Sequence, residues 1–137
     1  LQISVGRNRS NKRTTIVTVC AGTESAEIEI EQAASTTGTL SVTTGACTIK
    51  REKSGSKYKY TITAGYNVQG GHLASEVGIM FGNSPSKTTG TITDGLHKAT
   101  AYVTTSNSNY TVTYRAYAVK KSNGAKVYGT TKTKRYK

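Results

Sequence analysis

The segment Ala26-Glu27-Ile28-Glu29-Ile30-Glu31 alternates small or apolar residues with glutamates, one position at a time. That period of two is the repeat of an extended strand with one dry face and one wet face, and a helix would scatter it around its axis. The alternation returns in Lys57 to Ala64, where Tyr58, Tyr60, Ile62 and Ala64 are expected to face a core while Lys57, Lys59, Thr61 and Thr63 face solvent. Tyr110, Val112, Tyr114 and Ala116 repeat it. Between these bursts lie Gly, Asn and Ser clusters, helix signals are nearly absent, and Pro occurs once. The expectation is an all-β chain of many short strands.

Thr15 to Cys20 is expected to pair with the glutamate strand across Ala21-Gly22-Thr23, with Leu1 to Val5 a third strand ahead of the basic loop Gly6 to Arg13. Ala33 to Gly38 has no periodicity and no large side chain to anchor it, so a linker is placed at residues 35–38, between a first unit over 1–34 and a second over 39–137. In the second unit, strands are expected at Thr39–Thr43, Ala46–Lys50, Lys57–Ala64, Glu76–Gly82, Gly90–Thr93, Ala99–Thr104, Tyr110–Val119 and Ala125–Thr131, the spacing of an antiparallel β-sandwich. With no Trp and one Phe, its core must be built from tyrosines and aliphatics, and each buried tyrosine needs a partner for its hydroxyl or a place at the rim.

The formal net charge is +12, and its distribution matters more than its sum. Before residue 50, Arg7, Arg9, Lys12 and Arg13 balance Glu24, Glu27, Glu29 and Glu31; beyond it only Glu52, Glu76 and Asp94 oppose the remaining Lys and Arg. The excess therefore sits in the second unit, where it attracts polyanions of any kind: nucleic acid, acidic glycans, lipid headgroups or an acidic protein. The candidate contact residues are Lys50, Arg51, Lys53, Lys57 and Lys59 around one hairpin, and Lys132, Lys134 and Arg135 near the end of the sequence. They would form one stripe if their strands were neighbours, and they also read as solvated lysines that guard strand edges. Nucleic-acid binding ranks third, because the tyrosines of this region, Tyr136 aside, fall on the expected inward face. No run of about 18 apolar residues occurs, so no helical membrane span is expected. The first residue, Leu rather than Met, suggests that something upstream has been removed.

Nothing in the chain carries a catalytic pattern, and no cofactor or metal is expected. His72 and His97 fall in separate expected loops, where they read as solvated, and no metal-ligand spacing surrounds them. Glu76 and Asp94 read as structural, one in a strand and one in a Thr-Asp-Gly turn, and no G-x-S-x-G elbow is present. Cys20 and Cys47 flank the linker; they are either bridged, closing a loop worth about 3–4 kcal/mol on the chain-entropy model, or two semi-buried thiols.

Two stretches carry a resemblance. Arg9-Ser10-Asn11-Lys12-Arg13-Thr14-Thr15-Ile16-Val17-Thr18-Val19 followed by Ala26 to Gln32 resembles the last strands of the BACON domain, an immunoglobulin-like module of Bacteroidetes surface proteins and crAss-like phages. Ser75 to Gly82, Tyr114 to Val119 and Asn123 to Gly129 are similar, through their E-x-G, R-A-Y-A and Y-G landmarks, to fibronectin-type-III-like repeats of Bacteroidetes proteins. The resemblance implies an immunoglobulin/fibronectin-III-like sandwich preceded by a partial BACON-like strand set, in an extracellular, cell-surface or virion setting. It makes the acceptor patterns Asn8-Arg9-Ser10 and Asn109-Tyr110-Thr111 coincidental. The function expected is a non-enzymatic structural or adhesive module whose basic faces dock on other protein subunits or acidic glycans, assembled as an oligomer and completed by strand addition; the alternative is a carbohydrate-binding accessory module.

Overall fold

The computed structural model describes residues 4–6, 8–9 and 11–137. It is all-β apart from a single 3-10 turn at Gly71–Leu73. Arg13–Ala21 (β1) and Glu24–Gln32 (β2) form a separate antiparallel ribbon. Ser41–Ser54 (β3), Lys57–Gln69 (β4) and Gly95–Thr105 (β7) form a sheet in the order β3-β4-β7. The opposing sheet runs β10-β8-β5-β6, built from Ala74–Phe81 (β5), Ser84–Thr89 (β6), Thr111–Lys120 (β8) and Lys132–Arg135 (β10), with Lys126–Tyr128 (β9) also paired to β8. All pairs are antiparallel.

The two sheets bury one core between them. Tyr60, Ile62, Ala64, Tyr66 and Val68 of β4 alternate inward, as do Val112, Tyr114, Ala116 and Ala118 of β8, so the alternation expected of both strands is what the structure contains. Against them pack Val42, Cys47, Val77, Ile79, Phe81 and Ile92. Two of the core tyrosines end on backbone acceptors: Tyr60 donates to the Asn107 carbonyl (3.0 Å) and Tyr114 to the Gly45 carbonyl (3.2 Å). Among the described residues no buried side-chain nitrogen or oxygen lacks a partner, as the high energetic penalty for an orphaned polar group requires.

Several boundaries differ from the sequence expectation. Thr39–Thr43 and Ala46–Lys50 are one strand, β3, with a register shift between Thr44 and Cys47. A bulge absorbs the extra residues, and the shift explains why a strict period of two breaks there. Gly45 sits at the shift because a Cβ would meet the Gly65 carbonyl oxygen at 2.7 Å. Gly90–Thr93 is not a strand; the strand lies earlier, at β6, where Pro85 occupies an edge and removes no interior ladder bond. Ala125–Thr131 shortens to β9, and a further strand not expected from the sequence, β10, follows it. Of the third strand expected at Leu1 to Val5, residues 1–3 lie outside the described residues, and Ser4 and Val5 are not in a strand.

The split between β9 and β10 leaves the middle of β8 short of a neighbour, and a side chain from the other sheet supplies it. Thr44, buried at 2% exposure, accepts the Ala116 N–H through Oγ1 at 2.9 Å. The Ala116 carbonyl takes the Gly129 N–H at 2.9 Å. Thr44→Val keeps the shape and deletes the acceptor, leaving a buried N–H unpaired. Chemical denaturation should show it destabilised by about 1–3 kcal/mol, with Thr44→Ser retaining most of the stability.

Candidate functional site: a basic sheet face and its aromatic neighbours

Register places side chains on opposite sides of each sheet. Residues that pair across antiparallel strands share a face, so Lys50, Thr61 and Tyr102 lie together on the outer side of the β3-β4-β7 sheet, as do Glu52, Lys59 and Thr104. Lys57 and Lys98 belong to the same face. Tyr102 is 67% exposed and Leu96 88% exposed, so two large apolar groups stand among the lysines. Lys59 Nζ lies 5.5 Å from the Tyr102 ring centroid. At the far end of this face Gly45, Ala46 and Gly65 leave a shallow recess walled by Thr48, Thr63, Asn67, Leu96 and Lys98. Among the described residues, none of these four lysines forms an ion pair.

The other candidates are used differently. Arg51 pairs with Tyr60 and therefore shares its side of β3 and β4. Its guanidinium lies 4.9 Å from the Tyr58 ring centre and 4.8 Å from that of Tyr136, and Nη1 donates to the Ser108 carbonyl at 2.8 Å. With the Tyr60–Tyr110 stack (5.0 Å) and the Tyr60–Tyr136 edge contact (5.7 Å), it forms an aromatic plug. Its charge is engaged by rings and a carbonyl. Lys53 shares that side at the exposed hairpin end.

Lys132 and Lys134 share a face of β10, as expected, but the face is that of Tyr114 and Val112. Lys132 Nζ donates to the Gly45 carbonyl at 3.4 Å, and Lys134 lines a recess with Ile49. Arg135 lies on the opposite side, paired with Thr111. The single positive stripe weighed from the sequence is therefore not formed: β4 and β10 belong to different sheets. The lysines that the structure gathers on one outward face are instead Lys50, Lys57, Lys59 and Lys98, and Lys98 was missed because its strand was expected to start only at Ala99.

The aromatic pattern also differs. Tyr102 stands exposed on the basic face, and on the second sheet Tyr128, 43% exposed, carries the Arg115 guanidinium 3.9 Å from its ring centre. The E-x-G, R-A-Y-A and Y-G segments meet there. Tyr117 pairs with Gly78 on one side and Tyr128 on the other, and its hydroxyl donates to Glu76 Oε1 at 2.6 Å. Glu76 also faces Lys87 at 3.6 Å. Burial, followed by the bond to Glu76, pushes the Tyr117 phenol well above its ordinary value.

The solvated-loop reading fails for His72 and is met only in part by His97, which is half-buried in β7. His72 is buried in the 3-10 turn, with its Nε2 3.1 Å from the Thr37 carbonyl, and Lys121 Nζ donates to its backbone oxygen. The segment read as an unanchored linker is thus held to the sandwich through its backbone, a contact its small side chains could not announce. His97 stacks on Tyr66 at 5.3 Å and reaches the Thr93 carbonyl at 2.8 Å. Asp94 Oδ1 accepts the Gly71 N–H at 2.7 Å. Among the described residues no group of three His, Cys, Asp or Glu converges.

The Cys20–Cys47 bridge is not formed: both thiols are free, Cys20 exposed on the ribbon and Cys47 buried against the sandwich core. Burial raises the Cys47 pKa, an effect that Lys134 partly opposes. An aromatic disulfide reagent should therefore titrate one thiol in the native protein, lost in Cys20→Ser, and reach Cys47 only on unfolding. Burial also raises the Tyr114 and Tyr117 phenols from an ordinary 10.0. Above pH about 10 the unfolded chain releases protons that the folded chain retains, so stability is full below that pH and falls as pH rises past it. Denaturation midpoints should show this decline, shallower in Tyr117→Phe.

No protein-family model, curated protein or solved structure matches this chain, leaving the faces themselves as the evidence for function.

Proposed function

We propose that the chain is a non-enzymatic structural or adhesive module that docks an acidic partner on the outer face of the β3-β4-β7 sheet. The observation that carries this reading is the set Lys50, Lys57, Lys59 and Lys98, unpaired within the described residues and surrounding the exposed Tyr102. Lysines repelling one another across a flat face raise the energy of the isolated module, and an acidic surface relieves that repulsion while Tyr102 and Leu96 supply apolar contact. The resemblance to BACON and fibronectin-type-III-like modules supports an extracellular setting, on a bacterial surface or a phage particle, with other protein subunits as partners.

A second reading is carbohydrate binding, favoured by one observation: the outward Tyr102 ring lies beside Thr61, its register partner, on an open sheet. Such a ring stacks on a sugar, and the neighbouring hydroxyl groups accept and donate hydrogen bonds.

Titration separates the two. Binding to poly-glutamate should weaken steeply with added salt and fall roughly tenfold or more when Lys50, Lys57 and Lys59 are replaced by Glu, since each exposed pair contributes about 0.2–1 kcal/mol. Salt-insensitive binding to a neutral glycan, abolished by Tyr102→Ala, would replace the docking reading with the carbohydrate one.

A further inference from the structure

The same molecule holds an acidic surface on which, among the described residues, only Glu31 is ion-paired. Register places Thr14 with Glu31, Ile16 with Glu29 and Thr18 with Glu27 on one side of the ribbon. Glu27 and Glu29 have no ion pair among the described residues, and Glu31 has one, with Lys12 at 2.8 Å. Ile16 stands among them at 61% exposure. Among the described residues the ribbon strands pair only with each other, and Asn11 Nδ2, just ahead of the ribbon, donates to the Ile92 carbonyl at 3.0 Å.

We propose that this acidic ribbon face docks on the basic β3-β4-β7 face of a second copy of the chain, head to tail. Successive residues on one side of a strand repeat every ~6.7 Å. Glu27, Glu29 and Glu31 on β2 share that interval with Lys57 and Lys59 on β4, so carboxylates and ammonium groups fall into step along aligned strands. Each face carries a central apolar group, Ile16 on one and Tyr102 on the other, which the charges surround. The inference rests on the docking role given above to the basic face and names its acidic partner.

Two consequences follow from geometry. The two surfaces differ, so the contact is heterologous, and repetition yields a ring or a filament instead of closing as a symmetric dimer. A nine-residue, two-stranded ribbon presents roughly 300 Å². The roughly 600 Å² buried in all is below a standard stable interface, so a single contact is weak and an array gains strength from many.

Light scattering over a concentration series should show mass rising with concentration at low salt and returning to the monomer value at about 0.5 M salt, where screening acts within about 4 Å. Glu27→Lys with Glu29→Lys makes both faces basic, and Lys57→Glu with Lys59→Glu makes both acidic. Each variant alone should stay monomeric, and an equal mixture should associate again. Circular dichroism confirms that each variant is folded. Independently of any variant, carbodiimide treatment of mixed light and heavy-isotope chains should join Glu27 or Glu29 of one copy to Lys57 or Lys59 of another. Wild-type chain that remains monomeric at millimolar concentration in low salt, or crosslinks found only within one copy, overturns the proposal. If self-association fails while wild-type chain still binds poly-glutamate and the Lys57→Glu, Lys59→Glu variant does not, the basic face keeps its docking role and only the partner is wrong. If poly-glutamate binding fails as well, both fall.

Discussion

The sandwich depends on finding acceptors for phenols in a core that has one phenylalanine and no tryptophan. A tyrosine buries as much apolar ring as a phenylalanine does, but it drags a hydroxyl along, and an unpaired hydroxyl in a dry interior would cancel much of the gain. The fold solves this at the margins. Tyr60 reaches a loop carbonyl at Asn107, Tyr114 reaches the carbonyl of Gly45 at the bulge, and Tyr117 reaches Glu76 on the outer side of its sheet. The Tyr60 and Tyr114 rings lie inside with their oxygens leaving at a loop and at the bulge, whereas Tyr117 is buried on the outer face against Gly78. The bulge thus supplies the backbone acceptor that a regular strand would have spent on its neighbour.

The same logic explains the internal contacts of Arg51, Lys132 and Lys134. They lie where the two sheets are open at their ends and edges, and there a long cationic side chain covers ring faces and meets spare carbonyls. These three side chains stay exposed while making those contacts. Charge that faces outward on a flat sheet, as at Lys50, Lys57, Lys59 and Lys98, has no such internal use. The acidic side of the ribbon is its counterpart in sign, spacing and exposure.

Most of the strands were legible because one-in-two alternation is a direct image of a half-buried sheet, and β2, β4 and β8 carry it without interruption. What stayed hidden involved partners distant in sequence. The break in β3 depends on Gly65 lying opposite Gly45, and β6, Ser-Pro-Ser-Lys-Thr-Thr, has no apolar residue to betray an edge strand whose partner is β5. His72 looked like a loop residue because its acceptor, Thr37, lies in a segment with no periodicity. The basic candidates were found by type and half by face: parity within each strand was readable, but which sheet a strand joined was not. The all-β sandwich class was legible throughout, being the sum of many local patterns.

The last strand has a mechanical meaning. β3 is zipped along most of its length to β4, from Ser41 opposite Gln69 to Ser54 opposite Lys57, whereas β10 is laid against β8 only from Lys132 to Arg135. A pull directed along the chain loads these two attachments in series, and the shorter one peels first. Its release uncovers Val112 and Tyr114 while leaving the long hairpin intact, so such a module would yield under tension in steps, acting as a spring clip ahead of a rigid plank.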